Sequence, residues 1–190
     1  MLAGIVPAGG AGRRMGGVDK ALLRVGGMTL LDRVLGAARP VCDRLVVVGP
    51  TRPTNVPGVA FVIEPETGGG PVPAVTAGLA AFDECDVVLI LAADLPLLTD
   101  AHLRRLVTAL AGSEAGAAAA ATPDGPPNPL LAAYRAPALR AAVADLGRGA
   151  PASRMLPTAV VLVDLGTAAL NVNRPADLAA AEALLDAGDG

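Results

Sequence analysis

Tryptophan is absent from this 190-residue chain, which carries one tyrosine, two phenylalanines and one histidine. So few rings offer no platform for stacking successive bases, and a net charge of −3 gives no general attraction for a polynucleotide. No nucleic-acid partner is expected. Only two cysteines occur, Cys42 and Cys85, without a Cys-x-x-Cys motif or a Cys/His cluster, so neither a zinc site nor a disulfide framework is indicated. Both read as small buried residues. No uncharged apolar run approaches the roughly 18 residues of a spanning helix. The apolar fraction of 53% reflects alanine more than long hydrophobic segments. Residues 1–12 lack a charged leader, and Arg13-Arg14 is followed by Asp19, Lys20 and Arg24 rather than an apolar segment. A soluble, cytoplasmic chain forming one domain over 1–190, with no membrane partner, is the expectation.

Short runs of Val, Ile and Leu alternate with longer Ala- and Leu-rich segments that carry charges at helical spacing. This is the pattern of β-α units around a mainly parallel sheet. It predicts strands at 2–7, 44–48, 59–63, 86–92, 115–121, 129–134 and 159–163. The alanine run is the ambiguous one, and its position in the order favours a strand. Helices are predicted from Thr29 as cap to Arg39, over 75–82, from Thr99 or Asp100 to Leu110, over 136–146 and over 175–185. In open α/β sheets ligands bind at the carboxyl ends of the strands, so the segments after Pro7, Val48, Ile63 and Ala92 are predicted to line the site.

The first strand runs into Pro7-Ala8-Gly9-Gly10-Ala11-Gly12-Arg13-Arg14-Met15-Gly16-Gly17-Val18-Asp19-Lys20. Glycines let the backbone turn and bring N–H groups against phosphate oxygens, while Arg14 and Lys20 supply fixed charge, a combination suited to a triphosphate. A dinucleotide fingerprint fails here, since Met15 stands where its third glycine belongs and the second strand ends Val48-Gly49-Pro50 without an acid. A P-loop fails as well, because Lys20 is preceded by Asp19 and followed by Ala21. Asp94, at the end of a buried strand, is placed for Mg²⁺ rather than for packing; the alternative is a turn cap before Pro96. Asn173 reads either as a second ligand for metal or sugar, with Asn171 shaping the turn, or as part of a cap ahead of the helix at Pro175. His102, the sole histidine, is expected at the surface with no part in catalysis. No Ser-His-Asp set is evident, which agrees with direct transfer driven by positioning and charge neutralisation.

These residues resemble the molybdenum cofactor guanylyltransferases and their nucleotidyltransferase relatives. Positions 7 to 23 follow that family's opening pattern nearly throughout, an apolar residue, Ala-Gly-Gly, a spacer, Arg-Met-Gly-Gly-x-Asp-Lys and a leucine pair. Gly68-Gly69-Gly70-Pro71, Asp94-Leu95-Pro96, Asn128-Pro129-Leu130 and Asn171-Val172-Asn173-Arg174-Pro175-Ala176-Asp177-Leu178 are similar to its later motifs. The resemblance implies an α/β fold, a three-layer α/β/α sandwich with a mainly parallel, Rossmann-like central sheet of the nucleotide-diphospho-sugar transferase type. It implies GTP and molybdopterin as substrates, Mg²⁺ as cofactor, pyrophosphate as product and transient hand-over to molybdopterin-insertion or molybdoenzyme proteins. Carried onto this chain, the nucleotide-binding positions are Pro7, Ala8, Gly9, Gly10, Gly12, Arg14, Lys20, Gly49, Pro65, Gly70, Asp94 and Asn173. Arg14, Lys20 and Asp94 are the catalytic set, and Asp94 with Asn173 the metal ligands. Arg148, Arg154 and Asn128 are candidates for the pterin side, the two arginines reading equally as solvated surface charge.

Four positions depart from the pattern, one of them Pro73, which stands in place of a small flexible residue at the start of the helix after Gly70-Pro71 and bears on how that loop closes. Pro7 replaces a leucine, Gly49 an asparagine, and the acid usual after the third strand falls on Pro65, flanked by Glu64 and Glu66. Guanine presents donors that an acidic side chain accepts, and Glu64 or Glu66 meets them only if the register slips by one residue. Cytidylyl transfer to the same pterin, a sugar-phosphate nucleotidyltransferase and a non-catalytic nucleotide-binding accessory protein stay open as alternatives.

Overall fold

Apolar runs bounded by turn residues form strands wherever helices can cover both of their faces. The computed structural model describes residues 1–9, 19–65, 68–122 and 125–188. In chain order its strands are β1 (Leu2–Pro7), β2 (Arg24–Val25), β3 (Met28–Thr29), β4 (Arg44–Val48), β5 (Val59–Val62), β6 (Val87–Leu91), β7 (Ala117–Thr122), β8 (Gly125–Arg135) and β9 (Val160–Val163). The helices are α1 (Leu30–Ala38), α2 (Pro71–Ala80), α3 (Asp100–Ala111), α4 (Ala136–Ala144) and α5 (Pro175–Gly188).

Seven strands pair in one sheet in the order β5-β4-β1-β6-β8-β7-β9. Only β8 runs against the others: it is antiparallel to β6 and β7, whereas β4 and β6 flank β1 in parallel, β5 joins β4 in parallel and β9 joins β7 in parallel. Alternation along each strand sends its residues to two cores. Val6, Leu89, Leu91, Ala118 and Ala120 meet α1 and α3 through Leu31, Leu35, Leu103 and Leu106. Ile5, Val88, Ile90, Ala117 and Ala119 meet α2 and α4 through Val75, Leu79 and Leu139. The fold is therefore three layers, as the resemblance implied. Ala117 to Ala120 are fully buried, so the alanine run is a strand because helices press on both of its sides.

Several boundaries differ from the sequence expectation. Helix α2 begins at Pro71, not at Val75. Prolines fit the first helical turn, where N–H groups lack intrahelical partners in any case. Strand β8 begins at Gly125 rather than at 129, and its prolines 126, 127 and 129 lie beyond its pairing with β6, which covers only Leu131 to Arg135. The ribbon β2-β3 was not anticipated. Its turn is Gly26-Gly27, with φ of 55° and 78°, a left-handed pair that only glycine adopts without strain. Helix α5 packs across this ribbon, with Val25, Leu30, Val172 and Ala181 forming a third small core.

Candidate active site

The carboxyl ends of β1, β4, β5 and β6 open on one side of the sheet, and the side chains with chemistry collect there. Asp94 follows β6 by three residues. Its main-chain carbonyl accepts a 3.0 Å bond from Val172 N–H, which draws the segment ahead of α5 up to the strand end. Val172 is fully buried, and the asparagines on either side of it reach the same spot. Asn171 Nδ2 donates to Asp94 Oδ1 at 2.7 Å. Lys20 Nζ donates to Asp94 Oδ2 and, at 2.9 Å, to Asn173 Oδ1.

A cation thus rests on one carboxylate oxygen and one amide oxygen. Both are hard donors of the kind Mg²⁺ selects, and the side chains of Lys20 and Asp94 are 23% and 18% exposed. Among the described residues no group of three or more His, Cys, Asp or Glu could hold a metal. One carboxylate and one amide oxygen are a donor set that fits a cation completing its shell with substrate phosphate and water. The side chain of Asn173 does not cap α5: Asp177 accepts the N–H groups of Asn173 and Arg174 at 2.7 and 2.8 Å. Those two bonds hold its carboxyl below the ordinary aspartate value.

A second group of residues forms where β1, β4 and β5 end. Ala8 N–H donates to Val48 at 2.8 Å, and Gly49 N–H donates to Val62 at 2.8 Å. Since Ala8 N–H faces β4, the side of Pro7 without an N–H faces β6 beyond its last pair, Ile5 with Ile90. Proline there removes no ladder bond. Gly49 has φ +148°, and a Cβ on it would lie 3.0 Å from both the Ala8 carbonyl carbon and Gly9 N. The Glu64 side chain reaches the same strand end. Its Oε1 would stand 2.9 Å from a Cβ on Gly9. Glu64 is 4% exposed, and its Oε2 has no hydrogen-bond partner among the described residues. Pro65, the position inherited from the family pattern, is exposed, and among the described residues the inward acid is Glu64, one residue earlier.

The third edge of the opening is the turn before α2. Gly70, φ +95°, starts that helix, and Gly69 accepts a 2.8 Å bond from Gly149 N–H while packing against the stem of Arg148. The 147–150 loop is therefore tied to the glycine turn. Asn128 lies at a bulge in β8, its Oδ1 accepting from Leu130 N–H at 2.9 Å, and Leu130 in turn accepts from Ala92 N–H at 2.7 Å. Tyr134 O–H supports the same bulge through the Pro129 carbonyl at 2.9 Å, and burial pushes its phenol above the ordinary range. Arg154 is exposed on a 3-10 turn at Ala152–Met155. Gly10, Gly12, Arg14 and Glu66 lie outside the described residues.

A model of the MobA-like NTP transferase domain matches residues 4–159. The chain belongs to that family. The similarity of two relatives extends over three quarters of the chain or more. A molybdenum cofactor guanylyltransferase of Cereibacter sphaeroides is 33% identical over 198 residues, covering 97% of each chain. A probable molybdenum cofactor guanylyltransferase of Synechococcus elongatus is 38% identical over 151 residues, covering 75% of each. Among solved structures, molybdopterin-guanine dinucleotide biosynthesis protein A of Archaeoglobus fulgidus superposes with TM-score 0.72 at 22% identity, covering 98% of this chain and 100% of that one. The 2-C-methyl-D-erythritol 4-phosphate cytidylyltransferase of Thermus thermophilus does so with TM-score 0.72 at 25% identity and the same coverage. These two place the MobA-like chain in the nucleotide-diphospho-sugar transferase fold.

Two side chains outside the site behave differently from expectation. His102 is half-buried, not fully exposed, and its Nδ1 accepts from Thr99 N–H at 3.2 Å, capping α3. Burial first, then the Arg105 charge, lowers its pKa. The unfolded chain then binds the proton more readily, so stability present above the unfolded value near 6.5 is lost as pH falls through the lower folded value. A His102→Gln variant, which keeps the cap acceptor, is expected to show a shallower fall in Tm between pH 7 and about 5.5 than the parent. Cys42 is buried, its thiol pushed up to about 12 by desolvation, and inert; Cys85 is only half-buried. Among the described residues no helix is long and apolar enough to cross a membrane.

Proposed function

We propose that this chain transfers GMP from GTP to the phosphate of molybdopterin in the cytoplasm, releasing pyrophosphate with Mg²⁺ as cofactor. The observation that carries the reading is the meeting of Lys20, Asp94, Asn171 and Asn173 at the end of the glycine-rich segment. Family membership and the names of the relatives support the choice of substrates.

An oxygen of the pterin phosphate attacks the α-phosphorus of GTP, the bond from that phosphorus to the bridging oxygen breaks, and pyrophosphate leaves with the electron pair. Nothing in this displacement asks for a covalent enzyme intermediate, so the protein's part is to position and to neutralise charge. Lys20, within reach of Asp94, transfers its ammonium contact to the phosphates as they bind, and Arg14 adds a second cation. Asp94 and Asn173 would hold Mg²⁺, which when bound neutralises the triphosphate. Asn171 fixes the rotamer of Asp94 from behind. The Arg148 loop, docked on the glycine turn, and Asn128 face the acceptor side.

Glu64 reads the base. Its buried carboxylate holds Oε1 beside Gly9 and leaves Oε2 without a partner among the described residues, and guanine alone among the common bases presents adjacent N1–H and N2–H donors to a carboxylate. Thermal-shift measurements with GTP, CTP, ATP and UTP, each with Mg²⁺, test the choice. A ligand at 100 times its Kd adds about 2.7 kcal/mol, and GTP is expected to give the largest shift. Equal shifts for all four would remove the guanine assignment, and pyrophosphate release with sugar phosphates but not with molybdopterin would remove the acceptor.

A further inference from the structure

Arg52 lies in a proline-rich connection between β4 and β5, where a charged residue ordinarily faces water. It is instead 7% exposed. A guanidinium so far from solvent is held only where its donors are matched, and here three partners converge on it. Nε donates to Asp19 Oδ2 at 2.7 Å, Nη2 to the Ala8 carbonyl at 2.9 Å and Nη1 to the Pro50 carbonyl at 3.1 Å. Ala8 stands just before the glycine-rich segment and Asp19 just after it. One side chain therefore grips both flanks.

The grip extends to the catalytic lysine. Asp19 uses its other oxygen to accept Ala21 N–H at 3.2 Å, capping the 3-10 turn Lys20–Leu22 that aims the Lys20 ammonium at Asp94. The platform under Arg52 is itself fixed. Buried Asp32 in α1 accepts from Thr54 Oγ1 at 2.6 Å and from Asn55 N–H at 3.2 Å, pinning the same connection. Arg52 touches none of the atoms that would react, so its effect passes through the residues it holds.

We propose that Arg52 is a positioning residue for the nucleotide: through Ala8 and Asp19 it sets the separation of the two ends of the glycine-rich segment and the aim of Lys20. The proposal rests on the reading of this opening as a triphosphate site. It predicts a loss confined to one substrate, because the acceptor side, built on the Gly69–Arg148 contact, does not depend on Arg52.

The test is steady-state pyrophosphate release by the full chain with Mg²⁺, molybdopterin and the nucleotide that wild type uses, in Arg52→Met, Arg52→Lys, Asp19→Asn and the Arg52→Met/Asp19→Asn pair. Losing a hydrogen-bonded charge anchor is expected to raise KM for the nucleotide about tenfold in Arg52→Met, with KM for molybdopterin unchanged. Arg52→Lys, which keeps the charge beside Asp19 but loses the fork, falls between. The double variant is expected to be no worse than Arg52→Met alone, since both changes break one link. Asp19 is only partly buried, so Asp19→Asn keeps the test open should Arg52→Met fold poorly. Equal rises in both KM values, additive losses in the double variant, or unchanged nucleotide KM in Asp19→Asn would overturn the proposal. A wild type that works with CTP overturns the guanine reading and leaves this test in place; one that binds no triphosphate overturns both.

Discussion

Asp94→Asn is expected to lower the rate of pyrophosphate release on the order of 10²- to 10³-fold, the range typical for removal of one well-placed electrostatic group. The substitution keeps the shape of the side chain and reverses its electrostatics. Asp94 accepts from Lys20 and from Asn171 with its two oxygens; an amide in its place offers one acceptor and puts an N–H₂ group against one of those donors. It also withdraws the one charged oxygen donor, among the described residues, from the proposed Mg²⁺ site. Lys20→Ala is expected to fall in the same range by removing the cation from the other side. Stability should change little in either variant, because an ion pair about a fifth exposed gains only part of its Coulomb energy from the protein interior. Rates per folded molecule, normalised by circular dichroism and Tm, decide the matter. Near-normal turnover in either variant would defeat the assigned role.

What the sequence made legible follows from where each signal is local. The Val, Ile and Leu runs of β1, β4 and β6 are apolar because both faces of a parallel sheet are covered, and that leaves a mark in consecutive residues. The glycine turn of the β2-β3 ribbon was equally local, but two-residue strands carry no period to detect. The start of α2 falls at Pro71 rather than Val75 because the prolines of its first turn carry little helical signal of their own. Lys20, Asp94 and Asn173 are 153 residues apart at the extremes, and no pattern within the chain joins them; resemblance did, and the Val172 bond to Asp94 is the physical link.

The contacts made by Arg52, Asn171 and Glu64 were beyond reach for a related reason. An arginine among prolines has the composition of a solvated loop, and only the meeting of residues 8, 19 and 50 around it shows otherwise. Asn171 was read as shaping a turn, whereas its amide goes to Asp94. For Glu64 the chain offered a choice of register, Glu64 or Glu66 about Pro65. Strand β5 ends at Val62, and the two residues after it carry Glu64 inward and leave Pro65 outside. A one-residue offset is invisible to composition and decisive for chemistry, since neighbouring side chains on an extended chain point in opposite directions.

That offset leads to the second large effect. Glu64→Gln is expected to cut the preference for GTP over inosine triphosphate, which lacks the 2-amino group, by roughly 10- to 100-fold, in line with the loss of a charged acceptor from a buried site. The carboxylate accepts from both N1–H and the 2-amino group; the glutamine amide matches one of them and sets its own N–H₂ against the other. The same substitution is expected to raise the Tm of the free protein. A buried carboxylate oxygen without a partner costs folding free energy, and a neutral amide at the same place costs less. Stability and base selectivity therefore move in opposite directions, which a merely structural glutamate would not produce. Retained preference for GTP together with a lowered Tm would show that Glu64 holds the fold and does not read the base.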